Sequence, residues 1–511
     1  MNQYVFEETR PIVQTKYGKI RGVTYGDMNI FMGVEYAQAK RFHMPEEPKC
    51  WDGIKNAYQH GPISPQVRAT DPFFYYRGIH VVEKESENCQ NLNIWAPKTL
   101  NDEKKPVFVF IHGGGFFAGN AFEEVSFDGF NLAHYGNIIF VSINHRLNIL
   151  GHLNLEDYGE EFANSANVGI FDVAMALKWI HENIAAFGGD PGNVTICGHS
   201  GGGGKVQCMY QMKECVPYFQ RGICLSGARG KGGVGTQIGD REQSRIVAKA
   251  MLDDLGITKE NINDIYDVPF SALLEACKKH SSPFNWSPVK NDFFPGFPAE
   301  VGLMEFSKDK PIIYGSTLGE FPTLKLTAEE KEAMSEEDKE AYFREKLGDG
   351  ADRMMELFRK AYPDHDLIDL ACHDSRCRLG ATQSAEVHVE AGCKEVYNFI
   401  AAYNVPEDGS IPIWHGGEVA YIFMNEDRVL ALNPAIYGQL YGKIFSNMVL
   451  NFVKTGNPNC NYLPQWSPVT KGEMRTMVID RKCREEVNFD DELVRLSAQY
   501  MPKFKLVLPT K

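Results

Sequence analysis

The sequence predicts an α/β fold with a large, mostly parallel central sheet flanked by helices. Seven short runs rich in β-branched and aromatic residues lack alternating polar positions, as expected of strands that are buried on both faces. Helical patterns fall between these runs, and the clearest spans 168–187, where apolar residues recur every three or four positions. Strands that alternate with helices are typical of a parallel sheet. The predicted strands are 106–111, 137–144, 193–198, 223–227, 311–315, 395–403 and 475–480.

The domain organisation follows from what is missing between these elements. The chain has 511 residues, and no Ser/Pro-rich linker or internal repeat divides it. We therefore predict a single domain over 1–511, with a small antiparallel sheet near the N-terminus and long cap-like insertions. The segment 226–311 and the highly charged stretch 328–350 are the candidate insertions, and the aromatic run 73–76 is a candidate rim or lid.

Charge and cysteine content exclude several classes of protein. The net charge of −14 argues against nucleic acid or an anionic membrane as the main partner. No run reaches the roughly 18 apolar residues of a membrane helix, and the first residues do not resemble a secretory signal. The 12 cysteines have no repeated spacing, which favours free buried thiols over a zinc site. We expect a cytoplasmic protein without a membrane span.

The strongest local motif is the G-x-S-x-G sequence at 198–202, with Ser200 at its centre. It follows a predicted strand and precedes a helix-compatible run, which is the context that this motif requires. The turn strains the serine backbone, and flanking glycines avoid the resulting clashes. It also places the amide of Gly201 at a helix N-terminus, where the amide can stabilise an oxyanion. A plain glycine turn is the alternative; a phosphate-binding loop is excluded by His199 and Val206.

A second glycine-rich motif, HGGGF at 112–116, follows the predicted strand 106–111. Consecutive glycines let main-chain amides face a ligand without obstruction by side chains. In an α/β-hydrolase, a loop at this position supplies the remaining donors of the oxyanion hole. A flexible glycine turn is the alternative, and the serine motif downstream makes that alternative weaker.

A nucleophilic serine also needs a histidine base and a carboxylate that orients it, and in this fold both follow the serine in the chain. His415 lies in a glycine-bounded loop, whereas the other downstream histidines lie in charged or helical stretches. Glu320 lies just after a predicted strand, and carboxylates at strand ends face the crevice where α/β sites lie. Glu418 and Asp292 stay open as alternative acids. The other downstream histidines are His280, His365, His373 and His388.

Further segments occur in an order that resembles the type-B carboxylesterase family, which includes the cholinesterases. The resemblance spans nearly the whole chain and implies the α/β-hydrolase fold. It is carried by the motifs above and by PIVQTKYGKIRG, FMGVEYAQAKRF, SENC followed by LNI, NHRLNILGHL, NVGIFDVAMALKWIHENIAAFGGDPGNVTICGHSGG and NFVKTGNPN.

The resemblance implies a role for each matching residue. Ser200 would be the nucleophile, His415 in WHGGEVAYIF the base, and Glu320 in GSTLGEF the acid. The implied reaction is two-step acyl transfer through a covalent acyl-enzyme, with no metal and no organic cofactor. The main-chain donors of the oxyanion hole would be Gly114, Gly115 and Gly201.

The chain departs from the family pattern beside the nucleophile. The family usually has Glu before the serine and Ala after it, where this chain has His199 and Gly201. Gly201 still supplies an amide, although its backbone is less restrained. For His199 we favour a packed or hydrogen-bonded side chain over a role in tuning the site.

Two other departures bear on location and substrate. Ser64 occupies the place of the cysteine that commonly pairs with the signature cysteine, so Cys89 is expected to have no disulfide partner. The loss of a secretory disulfide fits a cytoplasmic protein. Ile79 stands where cholinesterases have a tryptophan for cation–π binding of choline, which disfavours cholinesterase activity.

These observations predict a serine hydrolase of carboxylic esters that acts on a hydrophobic small-molecule ester. Phe116 and Phe117 follow the oxyanion motif and are candidate pocket-lining residues, because such pockets are mostly apolar. Related acyl hydrolysis of a lactone, carbamate, thioester or amide is one alternative, since the same triad serves these reactions. A non-catalytic binding or adhesion protein on the same fold is the other.

Overall fold

A computed structural model describes residues 4–5, 10–67, 84–98, 103–231, 240–282, 285–321, 323–324, 326, 328–374, 376–405, 411–433 and 437–502. The aromatic run 73–76 lies outside these ranges. The described strands are β1 (Tyr4–Val5), β2 (Ile12–Gln14), β3 (Lys19–Arg21), β4 (Val23–Tyr25), β5 (Met28–Glu35), β6 (Ile54–Asn56), β7 (Asn91–Pro97), β8 (Lys105–Ile111), β9 (Ile139–Ile143), β10 (Gly189–His199), β11 (Arg221–Leu225), β12 (Ile312–Thr317), β13 (Val396–Ala401), β14 (Asn404–Val405), β15 (Ile411–Pro412), β16 (Arg475–Ile479) and β17 (Arg484–Val487).

From β8 onward, helices separate most of the successive strands. They are α1 (Phe130–Gly136), α2 (Asn148–His152), α3 (Val168–Asn183), α4 (Gly201–Gln211), α5 (Arg241–Asp254), α6 (Phe270–His280), α7 (Pro298–Val301), α8 (Ala328–Ala333), α9 (Glu336–Leu347), α10 (Ala351–Ala361), α11 (Cys377–Glu390), α12 (Gly417–Ile422), α13 (Tyr437–Thr455) and α14 (Asp491–Tyr500). Among the described residues, no helix combines the length and apolarity needed to cross a bilayer.

The chain divides into two compact units. The first unit comprises Met1–Ala69, Ile79–Gly222 and Gly235–Phe297. Its strands hydrogen-bond in the order β1-β4-β5-β7-β9-β8-β10. β8 lies between β9 and β10 and pairs with both in parallel, while β5 and β7 extend the sheet with antiparallel pairing. The side chains of β9 are all buried, which explains why its sequence lacks polar alternation.

The second unit comprises Thr70–Gly78, Ile223–Val234 and Pro298–Lys511. Its strands follow the order β11-β12-β13-β16-β17. β12, β13 and β16 pair in parallel, and β17 closes the edge with antiparallel pairing. β12 and β13 are buried along their whole length, and α11 packs against both.

The structure confirms the predicted α/β class and all seven predicted strands, and α3 covers most of the predicted helix 168–187. A small N-terminal sheet is present as predicted. In it β2 and β3 are antiparallel, and β6 adds to β3 in parallel. The charged stretch 328–350 forms α8 and α9, and most side chains of α9 face solvent. All 12 cysteines are free in the structure, Cys89 among them.

Candidate active site

Ser200 occupies a strained turn in the first unit. β10 ends at His199 and α4 begins at Gly201, so a single residue joins the strand to the helix. Ser200 has φ 54° and ψ −125°, in a region that residues with a side chain rarely adopt. Such strain persists only where the surrounding structure enforces it, and it is concentrated at functional sites. This turn is the geometry that the G-x-S-x-G motif predicts.

The glycines around Ser200 are required by close packing of the main chain. A Cβ on Gly198 would lie 2.1 Å from the carbonyl carbon and oxygen of Gly202. A Cβ on Gly202 would lie 2.0 Å from the carbonyl oxygen of Ile111, the last residue of β8. Both distances are far below any real contact, so a side chain at either position would displace the turn.

The glycine loop after β8 lies directly beside this turn. Gly114 and Gly115 have φ of +80° and +62°, which favours glycine at both positions. A Cβ on Gly113 would lie 3.2 Å from Cβ of Ser200, and a Cβ on Gly201 would lie 2.1 Å from the carbonyl oxygen of Gly115. The structure therefore brings the two glycine-rich motifs of the sequence together within the first unit.

Lys205 on α4 is a buried cation that the motif analysis did not assign to the site. Its Nζ donates a hydrogen bond of 3.3 Å to the carbonyl oxygen of His112, where the glycine loop begins. Burial lowers the pKa of His112, the charge of Lys205 lowers it further, and the ring is therefore neutral. The lysine thus ties the helix after the serine to the loop before Gly113. Its position five residues after Ser200 was the available clue.

The predicted neighbours of the site are buried. His199 is 4% exposed and its ring lies against Gly113, which fits the packed side chain that we favoured. Phe116 is fully buried, and its ring meets His152 at 5.5 Å and Phe297 at 6.4 Å between ring centroids. Phe117 is 9% exposed, and its ring would meet a Cβ on Gly115.

In the second unit, Glu320 and His415 form a hydrogen-bonded pair. Nδ1 of His415 lies 2.5 Å from Oε2 of Glu320, and both side chains are buried. The loops that carry them are held together by main-chain bonds, from Gly319 N to the carbonyl of Ile413 and from His415 N to the carbonyl of Glu320. The other carboxylate oxygen, Oε1, accepts a hydrogen bond of 2.8 Å from the amide of Thr317.

Burial sets the charge state of this pair. It lowers the pKa of His415 to about 3, and the nearby guanidinium of Arg376 acts in the same direction. Burial raises the pKa of Glu320 to about 7, and hydrogen bonds from Ser226 and Thr317 oppose that rise. The imidazole is therefore neutral near pH 7, with Nδ1 facing Glu320. A neutral imidazole held in this way can accept a proton at Nε2.

The alternative acids have other surroundings. Glu418 is fully buried at the start of α12, and its Oε1 accepts a hydrogen bond of 3.4 Å from Oγ of Ser226. Burial, followed by the charge of Glu320, raises the pKa of Glu418 to about 8. Asp292 is exposed on a loop of the first unit. The structure thus pairs His415 with Glu320, the acid that the resemblance implied.

The other downstream histidines are engaged elsewhere. Each forms a hydrogen bond outside the Glu320–His415 pair: His280 with Asp254, His365 with Asp369 and Asp480, His373 with Ser497, and His388 with Tyr314.

Sequence reasoning missed the residues that surround the pair. Phe321 packs against His415, with ring centroids 4.0 Å apart and the rings tilted by 36°, and the guanidinium of Arg376 lies 4.3 Å from the centre of the Phe321 ring. Ser226 could have been found, because it follows β11 as Glu320 follows β12. Arg376 and Cys377 lie at the start of α11 and carry no motif, so only the fold reveals them.

Comparison with known proteins gives a consistent result. Residues 9–496 match the Carboxylesterase family. The chain is 28% identical over 503 residues to the para-nitrobenzyl esterase of Bacillus subtilis (strain 168), covering 95% of this chain and 98% of the relative. It is 27% identical over 500 residues to the phenmedipham hydrolase of Pseudarthrobacter oxydans, covering 92% of this chain and 95% of the relative.

A similar solved structure is an esterase from anaerobic Clostridium hathewayi that can hydrolyse aliphatic aromatic polyesters. The TM-score is 0.91 at 34% sequence identity, and the match covers 98% of this chain and 100% of the other. At this identity and coverage, the two chains share one fold over almost their whole lengths.

Proposed function

The chain belongs to the carboxylesterase family and is an esterase, and from that premise we propose that it cleaves carboxylic esters through a Ser200–His415–Glu320 triad. The hydrogen bond between Glu320 and His415 is the observation that carries this proposal. A carboxylate on Nδ1 fixes the tautomer that leaves Nε2 as the base, and it stabilises the imidazolium that forms during the reaction.

In the proposed acylation, Nε2 of His415 removes the proton of the Ser200 hydroxyl as Oγ attacks the ester carbonyl. The amides of Gly114, Gly115 and Gly201 stabilise the oxyanion of the tetrahedral intermediate. The intermediate collapses, and His415 gives its proton to the departing alcohol. Ser200 is left as an acyl ester.

In the proposed deacylation, a water molecule takes the place of the alcohol. His415 removes one of its protons as the water oxygen attacks the acyl carbonyl. The second tetrahedral intermediate then releases the carboxylic acid and restores the Ser200 hydroxyl. The chain's own residues supply every proton transfer in this sequence.

We propose an ester with an apolar acyl or alcohol group as the substrate. Names of relatives support this class, since one is a para-nitrobenzyl esterase and another hydrolyses aliphatic aromatic polyesters. Phe117, beside Gly115 and slightly exposed, is better placed than the fully buried Phe116 to meet such a group. We also propose a cytoplasmic location, supported by the 12 free cysteines.

The test is hydrolysis of p-nitrophenyl esters, from acetate to decanoate, by the wild type, Ser200→Ala and Ser271→Ala. Ser271 is an exposed serine of α6 and serves as the matched control. We expect the wild type and the control to hydrolyse the esters and Ser200→Ala to lose this activity. Hydrolysis that persists in Ser200→Ala would overturn the nucleophile assignment.

A second measurement separates an esterase from a non-catalytic binding protein. A fluorescent organophosphonate labels an activated serine without requiring the natural substrate. We expect stoichiometric labelling of the wild type at Ser200 and none in Ser200→Ala. A wild type that neither hydrolyses any ester of the series nor takes the label would favour the binding protein.

A further inference from the structure

Cys377 lies at the acid–base pair, although no motif places it there. It is the first residue of α11 and is partly buried, whereas Glu320 and His415 are almost fully buried. The Cys377 sulfur, a carboxylate oxygen of Glu320 and a ring nitrogen of His415 all lie within 4.8 Å of one another. Residues far apart in the sequence thus form one cluster inside the second unit.

The three side chains offer the ligand types that zinc prefers. Thiolate, imidazole and carboxylate bind Zn²⁺ at about 2.0–2.3 Å, which places tetrahedral ligand atoms about 3–4 Å apart. The three ligand atoms already lie within 4.8 Å of one another, so rotations of the side chains would bring three donors onto one ion. Three protein ligands leave a fourth position for water, as in open zinc sites.

Further carboxyl groups lie close to the cluster. Those of Asp374 and Glu418 are buried and near enough to the Cys377 sulfur to interact with it electrostatically, as is the guanidinium of Arg376. A bound divalent cation would favour the ionised forms of these carboxyl groups, and the ionised forms would in turn stabilise the ion.

We propose that Glu320, Cys377 and His415 bind a thiophilic divalent cation such as Zn²⁺, and that its binding switches off ester hydrolysis; the second part rests on the proposed function. The ion forms bonds to Sγ, to a carboxylate oxygen and to Nδ1 of His415, the nitrogen that faces Glu320. The thiol proton passes to solvent, and the Nδ1 proton moves to Nε2. Nε2 then has no lone pair for the proton of Ser200, and nothing is oxidised or reduced.

The binding test uses Cd²⁺, whose bond to a thiolate gives an ultraviolet charge-transfer band. Wild type, Cys377→Ser and Cys460→Ser are titrated with Cd²⁺ in metal-free buffer. Cys460 is a second partly buried free cysteine and serves as the matched control. We expect the absorbance of Cys377→Ser to fall below that of the wild type by the amount that one bound Cd²⁺ per protein gives. Cys460→Ser should keep that absorbance. Equal bands in all three proteins would overturn the site.

The activity test uses Zn²⁺ and normalises each protein to its own rate in excess chelator. Loss of even an outer-sphere partner weakens metal binding by about 10–100-fold, so loss of a ligand should cost at least as much. We expect Cys377→Ser and Cys377→Ala to need at least about tenfold more Zn²⁺ for half-inhibition than wild type or Cys460→Ser. Equal inhibition of all four would contradict the switch.

The two readouts separate the two proposals. If the wild type hydrolyses no ester, the proposed triad function fails, and the Cd²⁺ band still decides whether the cluster binds metal. If hydrolysis is normal and the band is insensitive to Cys377, the metal site alone fails. Thermal unfolding of each variant without metal identifies any substitution that disturbs the fold.

Discussion

Gly201 lies so close to Gly115 that a Cβ at position 201 would stand 2.1 Å from the carbonyl oxygen of Gly115. The same atom would lie 2.4 Å from the Cα of Gly115. The turn after Ser200 and the glycine loop after β8 are thus in direct main-chain contact. The related family usually has Ala after the nucleophile, and this contact gives a physical reason for Gly in this chain.

Gly201→Ala should therefore disturb both the loop and the proposed oxyanion donors. Overpacking of this kind costs about 1–3 kcal/mol of stability, and loss of one oxyanion donor lowers kcat by about 10²–10³. The measurements are chemical denaturation and kcat on p-nitrophenyl acetate. Gly192→Ala is the control, since its Cβ would meet only the side chain of Asp190. A fully active, stable Gly201→Ala would contradict this packing argument.

Comparison of Glu320→Gln with Glu418→Gln should show which of the two buried acids acts in the proposed triad. An amide at 320 can donate to Nδ1 and so hold the wrong tautomer of His415, and it has no charge to stabilise the imidazolium; the analogous change in a serine-protease triad lowers kcat by about 10⁴. Glu418 is bonded to Ser226, so its neutral isostere should reduce kcat by less than about tenfold. Steady-state kinetics of both variants decides the matter. A larger loss in Glu418→Gln would mean that the acid assignment is wrong.

The fold was predictable because its strands are buried on both faces. β9 and β12 are fully buried and lack alternating polar positions, and glycine motifs at the ends of β8 and β10 mark where the chain leaves the sheet. The division into two compact units could not be predicted, because no Ser/Pro-rich linker lies in the sequence to indicate it. The single domain over 1–511 remains a prediction.

The site was predictable where chemistry requires fixed spacing. The turn at Ser200 and the loop at Gly114 are local, so their residues are adjacent in sequence. The pairing of Glu320 with His415 spans 95 positions, and the residues alone could not exclude Glu418. Cys377 approaches this pair only through the packing of α11, which leaves no sequence motif.

Lys205 provides a test of how the glycine loop is held. Lys205→Met removes the donor to the His112 carbonyl while keeping the length of the side chain. A misplacement of about 1 Å can lower the rate by about 10²-fold, and for this loop, which keeps its other contacts, we expect kcat to fall about tenfold with KM nearly unchanged. Lys339→Met is the control, a buried lysine of α9 that bonds Glu336 and Asp366. An unchanged kcat in Lys205→Met would exclude this positioning role.

His365 forms a buried ion pair with two carboxylates, away from the proposed triad. Its side chain is 3% exposed, with Nδ1 3.0 Å from Asp369 and Nε2 3.2 Å from Asp480. Burial alone would lower the pKa of His365, but the two carboxylates raise it to about 9. Arg484 and Asn404 also face this cluster, through Asp480 and Asp369 respectively.

Because of these ion pairs, the free energy of unfolding should fall as the pH becomes alkaline. The folded pKa of His365, about 9, lies above the unfolded value of 6.5, so the folded state binds the proton more tightly. The contribution is complete below pH 6.5, at about 3 kcal/mol since one pKa unit is about 1.4 kcal/mol, and it is lost as pH rises through 9. His365→Gln should flatten the fall in unfolding free energy between pH 6 and pH 10, measured by chemical denaturation. His134→Gln, at a half-exposed histidine, should retain the wild-type slope, and equal slopes in all three proteins would show that His365 is not the group responsible.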